Sequence, residues 1–253
     1  MQEEKKNLSI PGAIVIAGLL IAGGIYLSSS NFGMKTNETK TSSVLVKAID
    51  KDDHILGNPD APIVIVEYGD TECPPCKMFQ STMQTVMSAY GKDGKVAWVF
   101  RHSPLESLHS KASKEAEATE CANKLGGNAM FWKYIDALYV MTTSNDTLDP
   151  SKLPIIAKEV GLDVAKFNEC LSSGAEKARV ASDLAEAIKI TGGDLATPHL
   201  EIILKDKLTD EKVANIKDLF GSGLLINPDG KHISAAGAYG YDALKALIDV
   251  VLK

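Results

Sequence analysis

A single tetrapeptide, Cys73-Pro74-Pro75-Cys76, stands between an apolar, β-branched run and a helical pattern, and it constrains this chain more than any other feature. The run Ile63-Val64-Ile65-Val66-Glu67-Tyr68 has the length and composition of a buried strand. Beyond the tetrapeptide the pattern predicts a helix over Pro75–Tyr90, a turn at Gly91-Lys92-Asp93-Gly94, and a second core strand over Val96–Arg101. Strand–helix–strand is the connection of a parallel pair in an α/β sheet. Cys73 therefore falls at a helix N-terminus, where unpaired backbone N–H groups and the helix dipole favour a thiolate. Two thiols at this spacing close a disulfide with little chain movement.

Other readings of the spacing are weaker. A four-cysteine zinc site needs a second close pair, and the remaining cysteines, Cys121 and Cys170, fall in separate predicted helices. Haem attachment needs a histidine after the second cysteine, and Lys77 stands there. Coincidence stays open on spacing alone, but the strand–CxxC–helix placement is that of a redox motif. In that reading Cys73, open at the helix start, is the attacking or attacked sulfur. Cys76, one turn inside, is shielded and resolves the mixed disulfide. Pro74 and Pro75 stiffen the loop and remove amides beside the sulfurs. His54, His102, His109, His199 and His232 show no close metal-ligand spacing and read as structural or surface groups. No metal is expected, and no cofactor beyond the redox-active disulfide. An apolar fraction of 45% supplies a core, and a net charge of -6 gives no basic surface for nucleic acid.

The termini of the pattern set the organisation. Residues 10–27 (Ile10 to Leu27) are almost wholly apolar and as a helix would span roughly 27 Å, near a bilayer core. They are expected to be a transmembrane anchor or uncleaved signal, after a short cytoplasmic segment over 1–9. Small residues at Ser28 and Ser30 leave cleavage open. Residues 28–43 read as a flexible linker and 44–253 as the folded domain. Within it Val44–Ile49 is a predicted strand and Asn58–Pro62 a turn. A helical block of about 107–191 follows the second core strand. Then come Thr197-Pro198, a strand over His199–Leu204, a helix over Thr209–Phe220, a hairpin about Asn227-Pro228-Asp229-Gly230 and a final helix over Tyr241–Leu252.

The stretches Gly57–Phe79, Trp98–Leu105, Lys114–Gly127, Phe131-Trp132 and Thr197-Pro198 together resemble the DsbA-like branch of the thioredoxin superfamily, in particular its membrane-tethered bacterial members. The resemblance covers the chain from about Asp53 onward. It implies a thioredoxin-like fold with an inserted helical block. It also implies that Glu67, beneath the motif, relays the proton of Cys76. An X–Pro bond is cis only about 5–6% of the time, so a cis Thr197-Pro198 facing the cysteines and holding substrate is implied by the resemblance alone. Two departures stand out. Many relatives place histidine just before the second motif cysteine, where this chain has Pro75, and the segment around Thr209–Phe220 is enlarged. In an oxidising compartment Cys121 and Cys170 can pair across the helical block, with two free buried thiols as the alternative.

The expectation is a membrane-anchored, single-pass protein whose extracytoplasmic domain, periplasmic or on the outer surface, is a thiol–disulfide oxidoreductase. It would donate the Cys73–Cys76 disulfide to substrate protein thiols and be regenerated by a membrane redox partner. A reductase or isomerase of the same fold, or a tethered peptide-binding module with a structural disulfide, are the alternatives.

Overall fold

The computed structural model describes residues 46–253, and the expected cytoplasmic segment, membrane span and linker (1–9, 10–27, 28–43) lie outside the described residues. Among the described residues no helix is long and apolar enough to cross a membrane. Two parallel strands, β2 (Ile63–Gly69) and β3 (Val96–His102), are buried along their whole length. Strands covered on both faces read as continuous apolar chain, which is why neither alternates with polar residues. Period two still sorts their side chains. Ile63, Ile65, Trp98 and Phe100 enter one core, and Val64, Val66, Ala97 and Val99 the other.

The crossover between them is α1 (Pro74–Val86), which passes into a π-helical turn at Met87–Gly91. The single helix predicted to Tyr90 therefore loses its α ladder at Val86. Met87 folds over Gly91, where a Cβ would collide with its terminal methyl. The sheet has the order β1-β3-β2-β4-β6-β5, with β1 at His54–Leu56, β4 at His199–Leu204, β5 at Leu224–Ile226 and β6 at His232–Ala236. Every pairing other than β2–β3 is antiparallel.

The predicted strand at Val44–Ile49 is corrected: from Val46 onward it is not a strand. The Lys47 amide bonds a Glu186 carboxylate instead of a sheet neighbour. The chain then closes a local turn in which the Asp53 amide meets the Asp50 carbonyl, and pairing begins only at His54.

The helical block is α2 (Ala112–Gly126), α3 (Asn128–Met141), a 3-10 turn (Pro150–Lys152), α4 (Leu153–Glu159), α5 (Val164–Ser173) and α6 (Lys177–Thr191). It has its own core, in which Ala122, Tyr134, Leu138, Ile156 and Phe167 pack around Cys121 and Cys170. Those two cysteines are disulfide-bonded and join α2 to α5. Gly127 turns the chain between α2 and α3 at φ 72, a left-handed position that a Cβ would strain. α7 (Asp210–Phe220) is capped by the Thr209 hydroxyl, and α8 (Tyr241–Leu252) buries Leu244, Leu247 and Ile248 in the core that also contains Cys76 and Phe79.

Candidate active site

β2 ends at Gly69, and Asp70 folds the turn that leads into α1. Asp70 Oδ1 accepts from the Glu72 amide at 2.8 Å, and its carbonyl accepts from the Cys73 amide at 3.2 Å. Cys73 is thereby the N-cap of α1, with extended backbone, and Cys76 is the third helical residue. A helix normally offers the amides of its first residues to a group at the N-cap. Here Pro74 and Pro75 fill the first two positions, so the Cys76 amide is the first donor available.

Cys73 is 6% exposed and Cys76 is completely buried. The open attacking sulfur inferred from the helix start is thus corrected: the loop before β4 lies against it. The Thr197 carbonyl lies 3.4 Å from the Cys73 sulfur and accepts its S–H. The Thr197–Pro198 bond is cis and leads directly into β4. The Thr197 hydroxyl is buried without a partner beside the thiol, which leaves it free to donate to the anion.

Both motif cysteines are free thiols in this structure, and their environments pull their acidities apart. Hydrogen bonding from the Cys76 thiol brings Cys73 down to about 6, against the effect of burial and with help from Thr197 and the Cys76 amide. Burial pushes Cys76 well up, and the proton it gives to Cys73 and the charge of Glu67 act in the same direction.

Glu67 follows Ile63 and Ile65 on the α1 face of β2, so period two carries a carboxyl into the apolar layer beneath the motif. The Trp98 indole donates to its Oε2 at 3.0 Å, and Oε1 has no partner. Burial raises Glu67 to about 8, outweighing the Trp98 hydrogen bond and reinforced by the charge of Cys73. At neutral pH it is mostly protonated and holds one proton that it can give.

The fold adds polar groups that sequence spacing did not reveal. Asp70 Oδ2 accepts from the Leu105 amide at 2.7 Å and faces His109 Nδ1 at 2.9 Å. Glu72 accepts from the Asp146 amide at 2.7 Å and the Thr142 hydroxyl at 3.3 Å, while Thr71 donates to Glu115 at 2.7 Å. Burial, together with a hydrogen bond to Glu72, raises Glu115 to about 9. The position of Asp70 three residues before Cys73 was a legible turn signal, but nothing local announced His109 or Glu115.

A second cluster lies between the sheet and the block. His54 and His102, which sequence spacing left unrelated, place their Nε2 atoms 2.7 and 3.0 Å from one Glu120 oxygen. The Arg179 guanidinium approaches the same oxygen at 3.8 Å. Arg101 clamps Asp53 at 2.8 and 2.9 Å and also reaches Glu186. The cluster ties β1, β3, α2 and α6 together.

The architecture is shared with solved structures. α-DsbA1 from Wolbachia pipientis superposes with a TM-score of 0.59 at 22% identity, covering 83% of this chain and 94% of that one. DsbA2 of Pseudomonas aeruginosa gives 0.56 at 25% identity, covering 80% and 96%. Oxidised BdbD of Bacillus subtilis gives 0.57 at 22%, covering 79% and 92%. With a CxxC pair at the helix start and a cis proline against it, the chain has a thioredoxin-like fold of DsbA-like architecture. The chain belongs to the thioredoxin family, matching the Thioredoxin_4 (Thioredoxin) family over residues 49–217.

Among curated proteins the chain is similar to the Na(+)/H(+) antiporter NhaA 1 of Mycolicibacterium gilvum, at 35% identity over 146 residues, or 56% of this chain and 22% of that protein. The Na(+)/H(+) antiporter NhaA of Herminiimonas arsenicoxydans is 34% identical over 173 residues, 68% of this chain and 25% of that protein. The chain therefore spans a quarter or less of the length of these relatives.

Proposed function

We propose that the protein passes the Cys73–Cys76 disulfide to the thiols of substrate proteins, on the outer side of a membrane to which its N-terminal segment tethers it. The observation that carries this reading is the placement of the pair: Cys73 caps α1 with its sulfur 3.4 Å from the carbonyl before the cis Pro198, and Cys76, three residues on, is completely buried. Cys73 is drawn down to about 6 and Cys76 is driven well up. A stabilised Cys73 thiolate favours the reduced form and makes the disulfide a better oxidant.

The exchange runs in two displacements. A substrate thiolate attacks Cys73 Sγ, the Cys73–Cys76 bond breaks, and the Cys76 sulfur leaves with the electron pair. That sulfur is a strong base in its buried site, and protonated Glu67 delivers its proton there, later recovering one from solvent. A second substrate thiol, losing its proton to solvent, attacks the substrate sulfur of the mixed disulfide. The substrate disulfide forms and Cys73 departs as a thiolate. Two electrons have passed from substrate to motif, and a membrane redox partner that accepts them restores the disulfide. Thr197 and Pro198, immediately before β4, offer the backbone groups against which an extended substrate segment lies.

The apolar run Ile10–Leu27 supports the tether, and the Cys121–Cys170 bridge supports an oxidising compartment. One observation favours a reductase or isomerase instead: Pro75, at the second helical position, withholds an amide from the Cys73 sulfur. Equilibration with glutathione buffers separates the two. An oxidant should show a potential between about -200 and -120 mV, and a value below about -250 mV assigns the reducing role. Cys76→Ala should accumulate mixed disulfides with substrates; equal trapping by Cys73→Ala would reverse the roles of the two sulfurs.

A further inference from the structure

The turn that presents Cys73 contains a charge that opposes its thiolate. Asp70 holds the Cys73 amide with its carbonyl, its carboxylate is fully buried, and its charge disfavours the Cys73 anion. That carboxylate meets His109 Nδ1 at 2.9 Å. His109 comes from the loop between β3 and α2, where its amide bonds the Leu105 carbonyl and the Leu105 amide bonds Asp70 Oδ2. The ring is thus fixed in the wall of the active-site turn, and the residue is 6% exposed.

We propose that His109 is a positioning residue for thiol exchange: its imidazolium, paired with Asp70, cancels the carboxylate charge behind Cys73, so that stability of the thiolate depends on protonation of His109. The proposal rests on Cys73 being the exchanging sulfur and holds for either direction of electron flow.

The charged neighbours agree. Asp70 faces the ring from the turn after β2, Cys73 from the start of α1, and Asp146 from the loop after α3. Burial opposes charge on the ring, but these three anionic groups outweigh it and hold His109 above the usual histidine value. Asp146 is largely committed elsewhere, to the Ser110 and Lys111 amides, each at 2.9 Å, and to the Ser110 hydroxyl at 3.0 Å. The Lys111 ammonium is taken up by the Asp146 and Leu148 carbonyls. Glu72 and Glu115 belong to the same acidic group as Asp70. Lys77, the cation of the first helical turns, is bonded to the Thr142 carbonyl. His109 is therefore the cation that answers Asp70.

Coupling between the two sites is reciprocal, since protonating His109 must favour the thiolate as much as the thiolate favours the protonated ring. The test begins with the unaltered protein. NMR titration of the His109 ring should give a pKa higher in the reduced than in the disulfide form by about half to one pH unit, a three- to tenfold change in its proton affinity. Equal values in both redox states would overturn the proposal.

His109→Asn then keeps a donor toward Asp70 without the charge. Its Cys73 thiolate absorbance at 240 nm should titrate higher by a similar interval, and its glutathione equilibrium should move three- to tenfold toward a weaker oxidant. A variant that lowers only the melting temperature, with the Cys73 titration unchanged, would reduce His109 to a packing role and sink the idea. A reducing potential with the coupling intact would retire the oxidant reading while supporting this one.

Discussion

Glu67 shows how a place on a strand sets the protonation of one residue. It sits at a register position flanked by Phe100 on β3 and Leu200 on β4, on the face that packs against α1. A carboxyl in that layer is forced toward its neutral form, because burial penalises its charge more than the Trp98 hydrogen bond relieves it. A neutral acid beneath a strongly basic leaving sulfur is the arrangement that proton donation requires. Glu67→Gln keeps the shape and removes the proton. Oxidation of a model dithiol should slow about 100-fold, and the fall in rate that follows loss of the Glu67 proton should disappear. Stopped-flow tryptophan fluorescence, with Trp98 and Trp132 in the core that contains both thiols, reports the reaction. A rate unchanged between pH 6 and 9 would exclude the relay.

At the scale of elements, α1 matters through the amides it lacks as much as through its dipole. An N-cap side chain takes its hydrogen bond from the second or third helical amide. Pro75 removes the second, leaving the Cys76 amide. Pro75→Ala returns that donor. Cys73 should then titrate up to about one unit lower, and the disulfide should become up to tenfold more oxidising, about 30 mV, in glutathione equilibration. No change would mean that the second amide points away from the sulfur. The bridge between α2 and α5 closes a loop of 49 residues inside a separate small core. Replacing Cys121 and Cys170 with alanine should lower stability by about 2–4 kcal/mol in denaturant titration and leave the Cys73 thiolate titration in place. Elements with a strong local signal were legible in the chain: the β2 run, the Asn227–Gly230 turn and the glycine-punctuated helices. The first strand was not. Val46 is apolar enough for a strand, but the backbone after it is claimed by Glu186, a partner 139 residues away that no local pattern contains. The same limit hid the pairing of Asp70 with His109 and of Glu120 with two histidines, since each joins segments that only the fold brings together.

Over the whole molecule, buried carboxyls pull stability in opposite directions with pH. Hydrogen bonds from His102 and His54 hold Glu120 well below the usual carboxylate range, against the effect of burial. A group depressed by folding contributes stability above its unfolded value, about 4.3, and loses that contribution as pH falls through the folded value. Glu67 and Glu115 behave oppositely. Burial raises them to about 8 and about 9, so the folded protein keeps protons that the unfolded chain releases near 4.3. Their contribution is complete below that unfolded value and is lost as pH rises through 8 and 9. Each group tilts stability downward by at most about 1.4 kcal/mol per pH unit in that interval. The disulfide form is the right species for the measurement, because the Cys73 thiolate would stabilise the reduced protein with rising pH and mask the trend. Urea midpoints of the oxidised protein should fall steadily from pH 5.5 to 8.5. Glu115→Gln, which cannot ionise, should make that decline shallower. An identical slope in the variant would show that Glu115 is already ionised in the folded protein over this range.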